Sequence, residues 1–222
     1  MAVVTAELEG QPTRLDRRKA RTRRALVEAA RRILAEQGSA DVSIQEITDT
    51  ADVGFGSFYN HFESKAELFE VAVREVLEEY GQDLDRACEG LTDSAEIYAV
   101  GVRMTSRLAL TRPAIAQVVL QVGISYASED RGLAPRALRD IRRGIAEGRF
   151  LIEDAYLALI ATAGCVLAFL QTSLDQGNQL GESDADELAE MLLRMLGMTA
   201  RSARAVAHRP LPALLGRPAA GN

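Results

Sequence analysis

Between residues 13 and 200 apolar side chains recur every three or four positions, and proline and glycine are sparse. The period-two alternation of a half-buried strand is almost absent. A chain patterned this way buries its apolar surface as packed helical stripes, so an all-α fold is expected, without internal repeats. The first stripe is Leu26, Ala29, Ala30, Ile33 and Leu34, on a helix predicted over about 15–37. Gly38 can adopt the left-handed conformation that closes it.

The next thirty residues carry dense local signals. Ser43 followed by Glu46 is a capping box that opens a short second helix, whose inward face is Ile44, Ile47 and Ala51. Asp52-Val53-Gly54 supplies residue types suited to a tight turn. A third helix over about 55–61 holds Phe55, Phe58 and Tyr59, with Phe62 just beyond. Ser64 and Glu67 form a second capping box, opening a fourth helix that runs to about 88. A packing helix, a tight turn and a second, exposed helix make a helix-turn-helix reader of the DNA major groove. The small residues Gly54, Gly56 and Ser57 let the reading helix approach a duplex closely. Ser43 offers a hydroxyl and free backbone N–H groups to a phosphate, and Lys65 offers a positive charge at the same level.

Net charge is −6, which by itself argues against a nucleic-acid partner, but its distribution matters more. The segment from Arg14 to Arg32 holds nine basic and two acidic residues, so the positive field is local. Arg17, Arg18, Lys19 and Arg21 suit an arm along the duplex; a solvated basic face is the plainer alternative. Enzyme chemistry finds no support. The histidines are His61, in the predicted reader, and His208, beside the tail. No His, Cys and carboxylate cluster has ligand spacing, and neither a phosphate-binding glycine loop nor a nucleophile elbow is present, so no metal, cofactor or catalytic residue is expected. Cys88 and Cys165 are too few for a disulfide framework, and Cys165, in an apolar stretch, reads as a buried small side chain. Without a secretory leader or a membrane-spanning run, a cytoplasmic protein with no membrane partner is expected.

Taken together, Ala25-Leu26-Val27-Glu28-Ala29-Ala30 to Gly38, Ser43-Ile44-Gln45-Glu46-Ile47, Val53-Gly54-Phe55-Gly56-Ser57-Phe58-Tyr59-Asn60-His61-Phe62 and Ser64-Lys65-Ala66-Glu67-Leu68-Phe69 resemble the TetR family of bacterial repressors. The resemblance covers about residues 20–70. It implies that Ser43, Tyr59, His61 and Lys65 hold phosphates and that Phe55, Gly56, Ser57 and Phe58 face base edges or sugars. It also implies a homodimer whose helical body binds a small molecule. Two positions depart from the family pattern. Asp52 stands where glycine is frequent, though Asp tolerates the turn conformation. Gly54 stands where a hydroxyl residue is frequent, followed by Phe55 in place of a common polar residue, which alters base reading.

The remaining helices are predicted at about 93–111, 113–123, 134–147, 153–175 and 184–199, with a loose tail beyond 209. The 153–175 segment is apolar nearly all round and needs cover on every side. By the resemblance, the last two long helices of each subunit build a four-helix dimer bundle, with Leu159, Leu167, Leu188, Leu192 and Met195 in its seam. A ligand pocket then lies between 153–175 and the segments 93–111 and 113–126, with Met104, Leu108, Gln121, Tyr126, Phe150 and Phe169 as candidate lining. The expected organisation is an arm at 1–16, the DNA-binding domain at 17–66, a regulatory and dimerisation domain at 67–208, and a tail at 209–222. The expected function is a transcriptional repressor that binds a palindromic double-stranded DNA operator as a homodimer and is released by a small apolar or amphipathic ligand. The alternative is a helix-turn-helix regulator governed by a protein partner, or by no ligand.

Overall fold

The computed structural model describes residues 13–37, 40–123, 132–175 and 180–212. Among these residues all regular structure is helical: α1 (Arg14–Gln37), α2 (Ile44–Thr50), α3 (Phe55–Phe58), α4 (Lys65–Ala87), α5 (Ser94–Ser106), α6 (Leu108–Thr111), α7 (Pro113–Val122), α8 (Leu133–Ala146), α9 (Ala155–Asp175), α10 (Glu182–Met195) and α11 (Ala200–Ala207). The described residues fall into two compact units, 13–33 with 40–72 and 34–37 with 73–212, and α4 contributes to both.

The predicted stripe of α1 is buried; its members in the first unit, Leu26, Ala29, Ala30 and Ile33, share that unit with the buried Ile47, Phe58, Phe62, Leu68 and Phe69. Each such large side chain stabilises the unit by roughly 1.5–3 kcal/mol relative to exposure. Ser43 caps α2, its Oγ accepting the Glu46 N–H at 3.1 Å. Asp52 takes φ +53, the sole non-glycine residue at positive φ among the described residues, and it turns the chain as expected. The reading helix is shorter than predicted: α3 ends at Phe58, and Tyr59 to His61 follow as turns. At the start of α4 the Ser64 Oγ accepts the Glu67 N–H, but the Glu67 carboxylate reaches one residue further back, accepting the Glu63 N–H at 2.7 Å. The second capping box is therefore shifted, not reciprocal.

The second unit packs around α5, which touches α8, α9, α10 and α11. Its charged Arg103 is buried and compensated: Nε donates to Asp186 Oδ1 and Nη1 to the Arg209 carbonyl, both at 2.7 Å. Left unpaired, such a charge would destabilise the core by several kcal/mol. Two predicted helices prove to be broken. The 93–111 segment divides at Arg107 into α5 and α6, and the 184–199 segment ends at Met195. Gly197, at φ +94, terminates α10, and Thr199 then caps the unanticipated α11, accepting the Ser202 N–H. Gly197 also lies against Leu151, whose N–H donates to the Leu196 carbonyl, so the approach to α9 is fastened to the end of α10.

Contrary to the expectation of no such segment, the 21-residue α9 is long and apolar enough to cross a membrane by composition. It packs against α5, α7 and α8, but Tyr156, Leu157 and Ile160 remain exposed. Cys165, expected to be buried, is exposed as well. The predicted tail begins with the described residues 209–212; the rest of it lies outside them.

Candidate nucleic-acid interface and ligand cavity

The reader is built from α2, α3 and the N-terminus of α4. Lys65 Nζ donates to the Val42 carbonyl at 2.8 Å, which holds an ammonium beside Ser43 at the mouth of α2. One of its three N–H groups is used, and the others remain for an anion. Tyr59 closes α3 and is 57% exposed; its ring meets Phe55 and Phe58 edge-on, at centroid distances of 6.1 and 5.3 Å. Phe55, Gly54 and Gly56 are exposed and Ser57 half-buried. Phe58 is the correction: at 0% exposure it is core and cannot touch a base. The period of a four-residue helix is too short to show from sequence which of its aromatics turn inward.

Sequence reasoning passed over Arg23. Its guanidinium lies over the Phe62 ring, 4.9 Å from the centroid, a cation–π contact that fixes a positive charge in this region. His61 sits below its ordinary pKa, chiefly through burial and then through the charges of Arg23 and Lys19. It is therefore biased toward the neutral ring. Arg18 and Arg21 are exposed on α1.

The second unit holds a partly open cavity of about 170 Å³ between α4, α5, α7, α8 and α9. Most of its wall is apolar: Leu77, Ile97, Val102, Val119, Leu159 and Val166 are among the lining residues. On this wall the Tyr98 hydroxyl and Thr162 Oγ1 are 2.7 Å apart, and Thr162 donates onward to the Ala158 carbonyl. Tyr98 is in turn packed edge-on against Phe150. The Cys88 thiol, also lining the space, is pushed up to about 11 by burial and stays protonated.

One end of the cavity is charged. Arg136 of α8 lies across α4, its Nε donating to Asp85 Oδ2 at 2.7 Å. Its Nη1 and Nη2 grip both oxygens of Glu78 at 2.9 Å each, and Nη1 also donates to the Gly132 carbonyl at 2.8 Å. Arg139 bridges Asp85 Oδ1 at 3.0 Å and Asp140 Oδ1 at 2.9 Å. Hydrogen bonds from Arg136 lower the Glu78 carboxyl to about 2. At Asp85 burial pushes upward, but the two arginines outweigh it. Burial raises Asp140.

Residues 26–72 match the family described as bacterial regulatory proteins, tetR family, and residues 93–209 match the tetracyclin repressor-like C-terminal domain. The second match alone spans more than half of the chain. The chain belongs to the TetR family. The solved structure of RolR in complex with resorcinol is 35% identical, covers 89% of this chain and 98% of that one, and superposes with a TM-score of 0.75. RolR without ligand gives 36% identity, coverage of 86% and 99%, and a TM-score of 0.72. Among curated relatives, the HTH-type transcriptional repressor DhaR of Mycobacterium sp. (strain GP1) is 40% identical over 75 residues, 34% of this chain and 36% of DhaR. The HTH-type transcriptional regulator HbdR of Aromatoleum sp. (strain CIB) is 32% identical over 74 residues, 33% of this chain and 32% of HbdR. The matched stretch spans about a third of the length of these curated relatives.

This TetR-family chain is thus a helix-turn-helix transcriptional regulator, and its body corrects several sequence expectations. The cavity lies among the anticipated helices, joined by α4 and α8, yet the expected side chains do not line it. Met104 packs instead in a buried cluster with Ala87 and Val100. Leu108 and Phe150 are core, Gln121 is exposed, Phe169 is half-buried away from the space, and Tyr126 lies outside the described residues. Of the five side chains expected in the dimer seam, Leu159 and Leu167 line the cavity, Leu192 is 3% exposed within its own protomer, and Leu188 is partly buried. Met195 is exposed, and so is Met191, one turn before it.

Proposed function

We propose that this regulator represses transcription as a homodimer on a palindromic operator and leaves the DNA when its cavity takes up a monocyclic phenol. The observation that carries the reading is the cavity: about 170 Å³, apolar along most of its wall, with carboxylates and guanidinia at one end. An engineered apolar cavity of about 150 Å³ holds a benzene ring, so a single ring is the size class. Asp85 and Asp140 suit ring hydroxyls as hydrogen-bond acceptors. RolR, at 35% identity, is described in complex with resorcinol, a dihydroxybenzene.

On the DNA side, Ser43, Tyr59, His61 and Lys65 contact phosphates, Phe55, Gly54, Gly56 and Ser57 meet the groove, and Arg18 and Arg21 follow the backbone. A Cβ at Gly56 would meet nothing in the protein within 4 Å, so its smallness serves something that approaches from outside. The dimer seam is the exposed apolar face of α9 and α10: Tyr156, Leu157, Ile160, Met191 and Met195. Tyr156, Leu157 and Ile160 share one face of α9, and Met191 and Met195 lie one turn apart on α10; such exposed apolar faces support an interface. Two reading helices then enter successive major grooves about 34–36 Å apart. Ligand uptake acts through α4, which belongs to both units, and a coupling of roughly 1–3 kcal/mol would change operator affinity about 5–150-fold.

Footprinting on DNA flanking the protein's own gene, with and without resorcinol, tests the reading. A protected palindrome that resorcinol clears supports it. Protection untouched by resorcinol and other simple phenols would favour control by a protein partner, and no protection at low salt would remove the repressor reading itself.

A further inference from the structure

Glu78 does not line the cavity, yet it holds Arg136, a cation that does. A guanidinium has five N–H donors. Arg136 commits four of them: one to Asp85, two to Glu78 and one to the Gly132 carbonyl. The edge that would fork onto a carboxylate is the edge already closed by the two Glu78 oxygens. Glu78 is held from its other side as well, by the Gly132 N–H at 3.1 Å and the Gln82 amide at 3.2 Å. Arg139, the second cation, is divided between Asp85 and Asp140. Arg74, which also lines the wall, is engaged too. Around this end three carboxylates, Glu78, Asp85 and Asp140, stand against the two arginines that bridge them.

We infer that Glu78 is a specificity-determining positioning residue: by occupying the fork of Arg136 it makes the cavity accept neutral hydroxylated rings and reject carboxylated ones. The inference rests on the ligand reading above and adds the sign of charge that the site excludes. A ring hydroxyl needs an acceptor, and each oxygen of Asp85 receives one arginine N–H and keeps a second lone pair. A benzoate needs a free pair of donors, and bringing its charge beside Asp85 and Asp140 without them carries the cost of burying an unpaired anion. Discrimination is assigned to repulsion and to the absence of a partner, and its response to Glu78, which does not line the cavity, separates it from the larger size of a carboxylate.

The test compares resorcinol with 3-hydroxybenzoate by calorimetry on the full-length protein and on Glu78→Gln and Glu78→Ala. Wild type should bind resorcinol and discriminate against 3-hydroxybenzoate by at least about 100-fold, the scale of an uncompensated charge in a site built for neutral donors. In Glu78→Ala the freed fork should raise 3-hydroxybenzoate affinity about tenfold, one charge-assisted pairing, while resorcinol affinity changes less. Glu78→Gln, which keeps an acceptor for the Gly132 N–H, should show the same direction with intact folding by circular dichroism. A merely structural role would weaken both ligands together; that result, or wild-type binding of the two ligands with equal affinity, overturns the inference. If wild type binds neither ligand, the failure belongs to the ligand reading.

Discussion

Arg136 lies so close over Gly81 that a Cβ at position 81 would stand 2.6 Å from its Nη1 and 2.7 Å from its Cζ. Gly81 sits on α4 between Glu78 and Asp85, the two carboxylates that Arg136 holds, so the absence of a side chain there is what lets one guanidinium reach both. Gly81→Ala should therefore displace the guanidinium and not the helix. Alanine gains roughly 0.5–1 kcal/mol of helix propensity over glycine, offsetting much of the lost ion pairing. The expected result is a melting temperature within a few degrees of wild type, with resorcinol affinity reduced about tenfold. A variant that binds resorcinol as wild type does would show that the seat of Arg136 is irrelevant to the cavity.

Glu78 gives the same cluster a pH signature. Its folded pKa of about 2 lies below the ordinary 4.5, so the stability it contributes is complete above about pH 4.5 and drains away as pH falls toward 2. Urea unfolding between pH 5 and 2.5 should therefore have a steeper acid slope in wild type than in Glu78→Gln. Parallel slopes would separate Glu78 from acid stability.

On α10 the two faces make opposite predictions. Met191 is 64% exposed and Leu192 is 3% exposed, although they are neighbours in sequence. Met191→Asp should yield folded monomers in sedimentation velocity, because it places a charge in the proposed seam. Leu192→Asp should lose helicity instead, since its charge enters the protomer core at a cost of several kcal/mol. A Met191→Asp dimer of undiminished affinity would move the seam elsewhere.

In the reader, Lys65→Ala should weaken operator binding across all sequences and lower the slope of log K against log salt by about one unit. The loss of the hydrogen bond to the Val42 carbonyl should cost a further ~1 kcal/mol of stability. An unchanged slope, measured by fluorescence anisotropy between 50 and 200 mM salt, would take the phosphate role from Lys65.

The reader was legible because its signals are local. Ser43 caps within three residues, Asp52 turns within one, and the stripe of α1 declares its buried face by helical period alone. Such features depend on neighbours along the chain. Phe58 escaped the same logic: with four residues of helix, only packing against Phe62 and Tyr59 decides that it points inward.

The body was legible as helices and illegible as a site. Gly197 followed by Thr199 did carry the signature of one helix ending and another beginning, and it could have been read. The cavity could not. Its charged end joins Glu78 and Asp85 to Arg136, Arg139 and Asp140, more than fifty residues apart in the chain, and in sequence each looks like part of a solvated helix face. What the chain's own order determined is where helices form, where they stop and which segment reads DNA, because capping, turns and periodicity act over a few residues. Only the tertiary structure decided which face of α5, α9 and α10 turns inward and which charges meet, because those outcomes depend on helices brought together across the fold.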